Sequence, residues 1–292
     1  MSKNTVIYIH QSFWGEVNHG HGMIATSLKD NALNQELSSF TDRPGSTYGL
    51  DMPSYFSGKK IGEYFIFTRT YQDSLSSRPG MVFTHALIFD INDILNIDNI
   101  SFVFGLFSED IPDPTERNTE LNVIEHKYLD SQTDSFKYSK YIQTALQSLL
   151  SDRLPIIFSG KESNFTKLLQ VIWKGALPSI RSKIKFQIGF CSNDIQPNND
   201  FTIIYVHEKF LDKWITFPVI NDTDDNKVEL KSDEERLLLG DIESNKLHSF
   251  IEDLSINLNS FKLITIIHRA FNYYKKLKEC TISESLQLIR TI

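Results

Sequence analysis

Three histidines lie close together in the segment HQSFWGEVNHGHGMIA, which begins at His10 and contains His19 and His21. Imidazole nitrogens bind metals and transfer protons near neutral pH, so these side chains and the more distant His85 could build a metal or acid–base site. The sequence contains neither the H-E-x-x-H nor the C-x-x-C pattern that supplies ligands to zinc. Buried histidines are more commonly held by hydrogen bonds to the backbone or to a carboxylate. We therefore predict no metal and no other cofactor.

Two glycine-containing segments have features of nucleotide-binding loops. Gly20, Gly22 and Ala25 fit the dinucleotide pattern G-x-G-x-x-A. That pattern functions in a tight turn directly after a strand, whereas about ten residues separate it here from the apolar run VIYI. The segment IIFSGKES ends like a phosphate-binding loop, but it lacks the first glycine and the Ser or Thr that holds Mg²⁺. Neither segment predicts a nucleotide site.

A third candidate group combines carboxylate, guanidinium and imidazole. Asp42, Arg43, Arg78 and His85 could form an acid–base cluster if the fold brings their segments together. The same residue types also fix loops through charge-assisted hydrogen bonds. The sequence has no G-x-S-x-G nucleophile motif, and neither of its two cysteines lies in a recognisable cysteine–histidine context. The residues by themselves therefore favour a structural role over catalysis.

Two predicted strands must position Arg69 and His85. In EYFIFTRTY the period of two places Arg69 on one face with aromatic side chains, and in GMVFTHALIF it places His85 with Phe83 and Leu87. The intervening segment QDSLSSRPG contains Pro and Gly, which are typical of a loop. We therefore expect the two strands to be antiparallel neighbours. The segment ISFVFGLF is interpreted as a further strand, and TSLKDNALNQELSSF as a helix.

The whole chain predicts a mixed α/β fold in three regions. The polar stretches SEDIPDPTERNTE and NDTDDNKVELKSDEE read as loops or boundaries. The first region, residues 1–129, is α+β and carries the motifs. The second, residues 130–225, has a strand–helix–strand order that predicts a crossover and a locally parallel sheet. The third, residues 226–292, is helical; a single compact unit with the second region is the alternative.

The composition limits the class of protein. Of 292 residues, 40% are apolar and 23% charged, and the net charge is −7, as in an acidic globular protein. Such a chain lacks the cationic field that draws nucleic acids and anionic membranes, so we expect neither as a partner. No apolar run reaches the ~18 residues of a membrane span, and no signal peptide is evident. With only two cysteines, the sequence predicts a cytoplasmic protein.

Four separated motifs occur in order near the N-terminus: IHQSFWGEVNHGHGMIATSL, FTDRPG, YFIFTRTYQD and SRPGMVFTHALIF. Together they resemble the N-terminal domain, type one, of the GTPase-associated protein family of prokaryotic conflict and anti-phage systems. The resemblance extends over residues 1–129. The matching positions are His10, Gln11, Trp14, Gly15, His21, Gly22, Asp42, Pro44, Gly45, Arg69, Thr70, Arg78, Gly80, Thr84 and His85. The resemblance implies an accessory or adaptor role beside a nucleotide-driven switch or an effector.

We therefore expect a non-enzymatic adaptor or interaction module of a bacterial anti-phage defence complex, with a GTPase or another effector as its protein partner. In this interpretation the segment after the first strand is a structured loop. Trp14 packs there as an anchor, the glycines permit turns, and His10 and His85 tie neighbouring strands by hydrogen bonds. The alternatives are a hydrolase or nucleotide-processing effector, or a ligand sensor, with a site built from His10, His21, Arg78 and His85.

Overall fold

The computed structural model of the chain describes residues 5–43, 51–117, 120–128, 139–194, 202–223, 230, 232–239, 244–256, 258, 260–279 and 281. These residues form a ten-stranded mixed sheet with helices packed on both faces. The mixed α/β fold class expected from the sequence is therefore confirmed.

One sheet runs through the described residues. Its strands are β1 (Thr5–Val17), β2 (Gly20–Thr26), β3 (Tyr55–Ile61), β4 (Tyr64–Gln72), β5 (Val82–Asp90), β6 (Ile124–Tyr128), β7 (Ile156–Ser159), β8 (Phe186–Ile188), β9 (Ile203–Tyr205) and β10 (Val219–Asn221). The order is β10-β7-β9-β8-β3-β4-β5-β1-β2, and β6 pairs with the first half of β1. The first six strands pair antiparallel and the last four pair parallel with one another, so the two parts meet where β3 pairs with β8.

The helices lie between and after these strands. They are α1 (Asn31–Phe40), α2 (Ile91–Leu95), α3 (Ser101–Gly105), α4 (Pro114–Arg117), α5 (Lys140–Leu150), α6 (Glu162–Gly175), α7 (Pro178–Arg181), α8 (Asp233–Leu238), α9 (Ser244–Asp253) and α10 (Phe261–Glu279). Helices α6 and α7 connect β7 to β8, and both strands are parallel to β9, which lies between them. The strand–helix–strand crossover predicted for the middle of the chain is confirmed.

The sheet has a different core on each face. On the face that we call the α1 face, Trp14, Ile66 and Ile88 pack against Leu33 and Leu37 of α1. The opposite face, called the α6 face, carries the phenylalanines of β4 and β5 and a much larger core that includes α5 and α6. Successive side chains of a strand point to opposite faces, so neighbouring motif residues on β4 and β5 are separated by the sheet.

The segment interpreted as a structured loop is a β-hairpin, which corrects the sequence interpretation. Strands β1 and β2 pair from Val17↔Gly20 back to Ser12↔Thr26. The two-residue turn between them is formed by Asn18 and His19, whose φ angles of 50° and 63° are those that a type I′ turn needs. The glycines of this segment therefore lie in strands and do not make the turn.

The glycines are explained instead by side-chain crowding. Gly15 and Gly22 are partners across the hairpin. A Cβ atom at Gly15 would lie 3.0 Å from Ile24 Cδ1, and one at Gly22 would lie 3.3 Å from Val17 Cβ. Small residues at this pair let the apolar neighbours of the hairpin approach each other.

The segment ISFVFGLF was expected to be a strand but contains helix α3. Ile100, Val103 and Phe107 are all buried, and their spacing of three and four residues fits one face of a helix. Asn99 Oδ1 accepts a hydrogen bond of 2.9 Å from the Ser101 backbone N–H, which forms an Asx turn directly before the helix. This periodicity could not be recognised in the sequence, because a continuous apolar segment is consistent with a buried strand or a buried helix.

The two parts of the sheet join at a glycine. Gly58 of β3 is the residue that pairs with Phe186 of β8. A Cβ atom at Gly58 would lie 2.5 Å from the Phe186 ring, so a side chain there would displace the ring. Glycine thus allows the close approach that continues the sheet from β3 to β8.

Candidate functional site

The motif residues of β4 and β5 are cross-strand partners. Arg69 lies opposite His85, and Thr70 lies opposite Thr84. Because side chains alternate, Arg69 and His85 point to the α6 face, whereas Thr70 and Thr84 point to the α1 face. The motifs R-T and T-H therefore contribute to two polar clusters, one on the α6 face and one on the α1 face of the sheet.

On the α6 face, His85 connects β5 to β1. Its Nε2 lies 3.0 Å from Gln11 Oε1, while Gln11 Nε2 donates a hydrogen bond of 2.8 Å to the Asn122 carbonyl. With the Gln11 amide oriented in this way, His85 Nε2 is the donor. The imidazole contacts the rings of Phe13 and Phe107 edge-on, at centroid distances of 4.9 and 5.2 Å. Burial lowers the pKa of His85 to about 4, so the ring is neutral at pH 7.

Arg69 extends the same face toward α6. Its guanidinium carbon lies 4.8 Å from the ring centroid of Phe56 and 5.5 Å from that of Tyr71. Its Nη2 lies 3.5 Å from Glu162 Oε1 and donates to Ser54 Oγ at 3.3 Å. Burial raises the pKa of Glu162, and the nearby Arg69 charge opposes that rise. Arg69 thus connects the antiparallel strands to the first turn of α6.

On the α1 face, His21 forms the centre of the second cluster. Thr41 Oγ1 donates to the Leu37 carbonyl at 2.8 Å and therefore accepts from His21 Nε2 at 3.2 Å. His21 Nδ1 then carries no proton; it lies 3.8 Å from Asp42 Oδ1 and has no hydrogen-bond partner among the residues that the structure describes. The imidazole stacks on Trp14 with 20° between the ring planes. Burial lowers the pKa of His21, and Asp42 opposes this effect.

Hydroxyl groups link His21 to the centre of the sheet. Thr84 Oγ1 donates to the Thr41 carbonyl at 2.8 Å, and the Thr70 and Thr84 hydroxyls are 2.9 Å apart. Since Thr84 donates its proton to Thr41, Thr70 is the donor in the pair. Burial raises the pKa of Tyr55, and interaction with Thr70 opposes the rise. A buried polar chain therefore runs from β4 through β5 to the end of α1.

The hairpin turn is held by the loop between β4 and β5. The Glu16 carboxylate accepts hydrogen bonds from Ser76 Oγ and the Ser77 backbone N–H, each 2.7 Å long, and from Ser77 Oγ. Arg78 Nη1 donates to the His19 carbonyl at 3.0 Å. The hydrogen bonds from Ser77 and Ser76 lower the pKa of Glu16 to about 2. Arg78 and Glu16 thus hold the turn and the loop together.

The segment after α1 reaches the same loop. Arg43 Nη1 donates a hydrogen bond of 2.9 Å to the carbonyl of Gly80, and Asp42 Oδ1 accepts one of 2.6 Å from the Arg43 backbone N–H. Gly80 has a φ of +83°, a conformation that glycine adopts without strain. Pro44 and Gly45, which belong to the same sequence motif, lie outside the described residues.

The four side chains considered for catalysis have separate partners. His10 Nδ1 lies 3.4 Å from Ser27 Oγ, His21 contacts Thr41, Arg78 binds the turn, and His85 binds Gln11. His85 and Thr84 are consecutive in β5, and the Thr84 hydroxyl belongs to the His21 cluster, so His21 and His85 lie on opposite faces. Within the described parts of the chain, no three His, Cys, Asp or Glu side chains are grouped to hold a metal.

Two contacts that fix these loops were not predicted from the sequence. Glu16 occurs in the W-G-E motif but was not singled out, although it makes the hydrogen bonds to the loop. Asp73 and Arg117 form a buried ion pair with Nη1 and Oδ2 2.5 Å apart, and Arg117 also lies 4.8 Å from the Phe83 ring centroid. The tryptophan–glycine–glutamate triplet could have indicated Glu16, whereas no local signal pairs residues 73 and 117.

A cleft of about 240 Å³ lies between the C-terminal helices. Its wall is apolar, from Leu237, Leu247 and Phe271, and its polar side includes His268 and Asn272. His268 Nδ1 lies 3.3 Å from Glu234 Oε1, and its Nε2 lies 3.3 Å from Asn272 Nδ2. The cleft is separate in sequence from the motif-bearing strands, and no sequence pattern predicted it.

Comparison with known proteins identifies the region that contains most of the two clusters. Residues 8–107 match the family described as GTPase-associated protein 1, N-terminal domain type 1. The resemblance inferred from the motifs is thus confirmed over these residues. No curated protein matches the chain.

The match to the GTPase-associated domain includes His21, Arg69, His85 and the loop that holds the hairpin. Asn122 and Glu162, the partners of Gln11 and Arg69 on the α6 face, lie beyond the match. The match begins within β1 and ends shortly after α3, so the parallel part of the sheet and α5 to α10 follow it. Among the described residues, no helix has the length and apolar character needed to span a membrane. An association with a GTPase system is the functional link that the family match supports.

Proposed function

We propose that the chain is a non-enzymatic adaptor of a bacterial anti-phage defence complex, and that it acts beside a GTPase or another effector. One observation carries this proposal: the side chains that could do chemistry are each engaged with a different partner, on two faces of the sheet and in a loop. Side chains that are held in this way fix the strands and the loop relative to one another, as a rigid binding surface requires. The match to a GTPase-associated domain supports a GTPase as the partner.

The state of the histidines supports the same proposal. A general base functions best with a pKa near the working pH, whereas the pKa of His85 is lowered to about 4 and its Nε2 is used to bind Gln11. The imidazole therefore serves to tie β5 to β1. The same contact fixes the position of Gln11, which in turn binds the segment before β6.

The enzymatic alternative has one observation in its favour. His21 Nδ1 is unprotonated, buried and 3.8 Å from the half-exposed Asp42 carboxylate, and no group in the described part of the chain hydrogen-bonds to it. An acid–base pair in a hydrolase or nucleotide-processing enzyme needs a nitrogen of this kind. His21 is therefore the residue whose substitution separates the two candidates.

The test combines partner capture with a variant of His21. The tagged protein is purified from its native host with and without phage infection, and bound proteins are identified and quantified by mass spectrometry. We expect a GTPase or effector in near-stoichiometric amount. Recovery of the chain alone under both conditions would remove the support for an adaptor.

His21→Gln keeps a side-chain donor for Thr41 but removes the basic nitrogen. An adaptor carrying this change should keep both partner binding and phage protection, provided that circular dichroism shows a normal fold. His207→Gln is the matched control, because the half-buried His207 ring contacts Phe210 and accepts a hydrogen bond from the Lys209 backbone N–H, so it belongs to neither cluster. If His21→Gln abolished protection while partner binding stayed intact, the enzymatic alternative would be favoured.

A further inference from the structure

Strand β2 forms one edge of the sheet. It pairs with β1 on one side, and no strand pairs with its other side among the described residues. As whole residues, the members of β2 are half-buried or, at Met23, exposed, whereas every residue of β5 from Val82 to Phe89 is buried. An edge of this kind presents backbone N–H and C=O groups to a further strand.

The hairpin register shows which backbone groups face outward. Val17 and Gly20 flank the two-residue turn and are therefore a hydrogen-bonded pair. Hydrogen-bonded and non-bonded pairs alternate in antiparallel strands, so Gly22 also bonds to β1, while His21 and Met23 do not. The backbone N–H and C=O groups of His21 and Met23 point away from β1.

The sequence of β2 offers little protection against pairing. Natural edge strands commonly carry Lys or Pro, or point charges toward the free side. Strand β2 reads GHGMIAT, with no Lys, Arg, Asp, Glu or Pro. Its one ionisable side chain is His21, and burial lowers the pKa of that group. Two copies of β2 can therefore lie side by side without like charges opposite each other.

We propose that the β2 edge pairs antiparallel with β2 of a second copy of this chain, about a twofold axis at Gly22. This register places His21 of each copy opposite Met23 of the other, and the four outward N–H groups each find a carbonyl. The Met23 side chain, which is 38% exposed, then lies over the partner strand and loses contact with water, while each His21 imidazole stays on Trp14 and Thr41 of its own copy. Glycine at the axis puts no side chain between the two backbones.

This inference is independent of the adaptor proposal, because the purified chain alone must associate. The test is the molar mass measured by light scattering over a wide range of protein concentration. We expect the wild type to approach twice its 33.7 kDa mass. Met23→Pro removes an outward N–H that β1 does not use and should leave a folded monomer. Met23→Ala keeps that N–H and should still associate.

Wild-type protein that stays monomeric at its highest soluble concentration would overturn the proposal. So would Met23→Pro protein that associates as the wild type does. If Met23→Pro fails to fold, hydrogen exchange of the wild type decides the question. The His21 and Met23 amides should gain protection as concentration rises, whereas the Gly22 amide, bonded to β1, should not change. Exchange of His21 and Met23 that is independent of concentration would contradict pairing at this edge.

Discussion

The hydroxyls of Thr70 and Thr84 lie 2.9 Å apart on directly opposed positions of β4 and β5. This hydrogen bond joins the two sequence motifs that carry Arg69 and His85 on the other face of the sheet. Thr84 also donates to the carbonyl of Thr41 at the end of α1, so hydrogen bonds connect the central strands to the end of this helix. The motif threonines therefore hold the His21 cluster in place.

Replacement of Thr84 by valine should destabilise the fold. The change keeps the side-chain shape but leaves the buried Thr41 carbonyl and the Thr70 hydroxyl without their partner. An unsatisfied buried polar group costs about 1–3 kcal/mol, so we expect the free energy of unfolding to fall by about that amount. Chemical denaturation measures it. Thr144→Val, at an exposed hydroxyl that bonds to its own helix, is the control and should change stability by less than about 0.5 kcal/mol.

Stability should fall in mild acid because of His85. Burial lowers its pKa in the folded protein to about 4, against about 6.5 in an unfolded chain. Between these values the unfolded state binds the additional proton, so the free energy of unfolding decreases as pH falls through this window. The loss contributed by His85 should reach about 3 kcal/mol near pH 4.

Comparison with His85→Gln isolates this contribution. Glutamine can still donate to Gln11 but does not titrate, and every other group titrates in both proteins. The difference in unfolding free energy between the two should therefore shrink or reverse in favour of the variant as pH falls from 7 to 4. Two curves that run parallel over that interval would show that His85 has an ordinary pKa.

Periodicity was informative where a strand has two different faces. The alternation in β4 and β5 predicted that Arg69 and His85 lie on apolar faces of antiparallel neighbours, and the structure confirms this pairing. The crossover from β7 to β8 followed from element order. By contrast, α3 is short and its segment apolar throughout, so its period could not be separated from that of a buried strand.

The relationships within the site could not be predicted, because they join residues distant in sequence. Because glycine permits turns, turns were expected at Gly15 and Gly22. In the structure these glycines lie in the strands of a hairpin and leave room for neighbouring side chains. The turn uses Asn18 and His19, and asparagine is among the residues that tolerate positive φ. Likewise, nothing local to residues 69 and 85 indicates which carboxylate or amide each contacts. The boundaries proposed at residues 129 and 225 stay predictions.

Neutralising Glu16 should loosen the loop that holds the hairpin turn. With its pKa lowered to about 2, the carboxylate is charged at neutral pH and accepts hydrogen bonds from Ser76 and Ser77. In Glu16→Gln one acceptor oxygen is replaced by a donor, so the Ser77 amide should exchange its hydrogen faster. Hydrogen exchange read by mass spectrometry measures this. Exposed Glu63→Gln should leave the loop unchanged, and an unaltered Ser77 rate in Glu16→Gln would contradict the assignment.

The ion pair of Arg69 with Glu162 should be energetically coupled, although its atoms are farther apart than those of a surface pair. The Arg69 side chain is 12% exposed, and its Nη2 lies 3.5 Å from Glu162 Oε1; Lys209 Nζ and Asp51 Oδ2 are 3.2 Å apart but 54% and 81% exposed. Burial reduces solvent screening, while exposed pairs contribute little.

A double-mutant cycle with Arg69→Met and Glu162→Gln should therefore give a coupling energy of about 0.5–1 kcal/mol in chemical denaturation. The matched cycle with Lys209→Met and Asp51→Asn should give a value near zero. Equal coupling in the two cycles would mean that the shorter distance between Lys209 and Asp51 offsets the burial of Arg69 and Glu162. A coupling close to zero for Arg69 and Glu162 would mean that Arg69 is held by its contacts with the Phe56 and Tyr71 rings and not by α6.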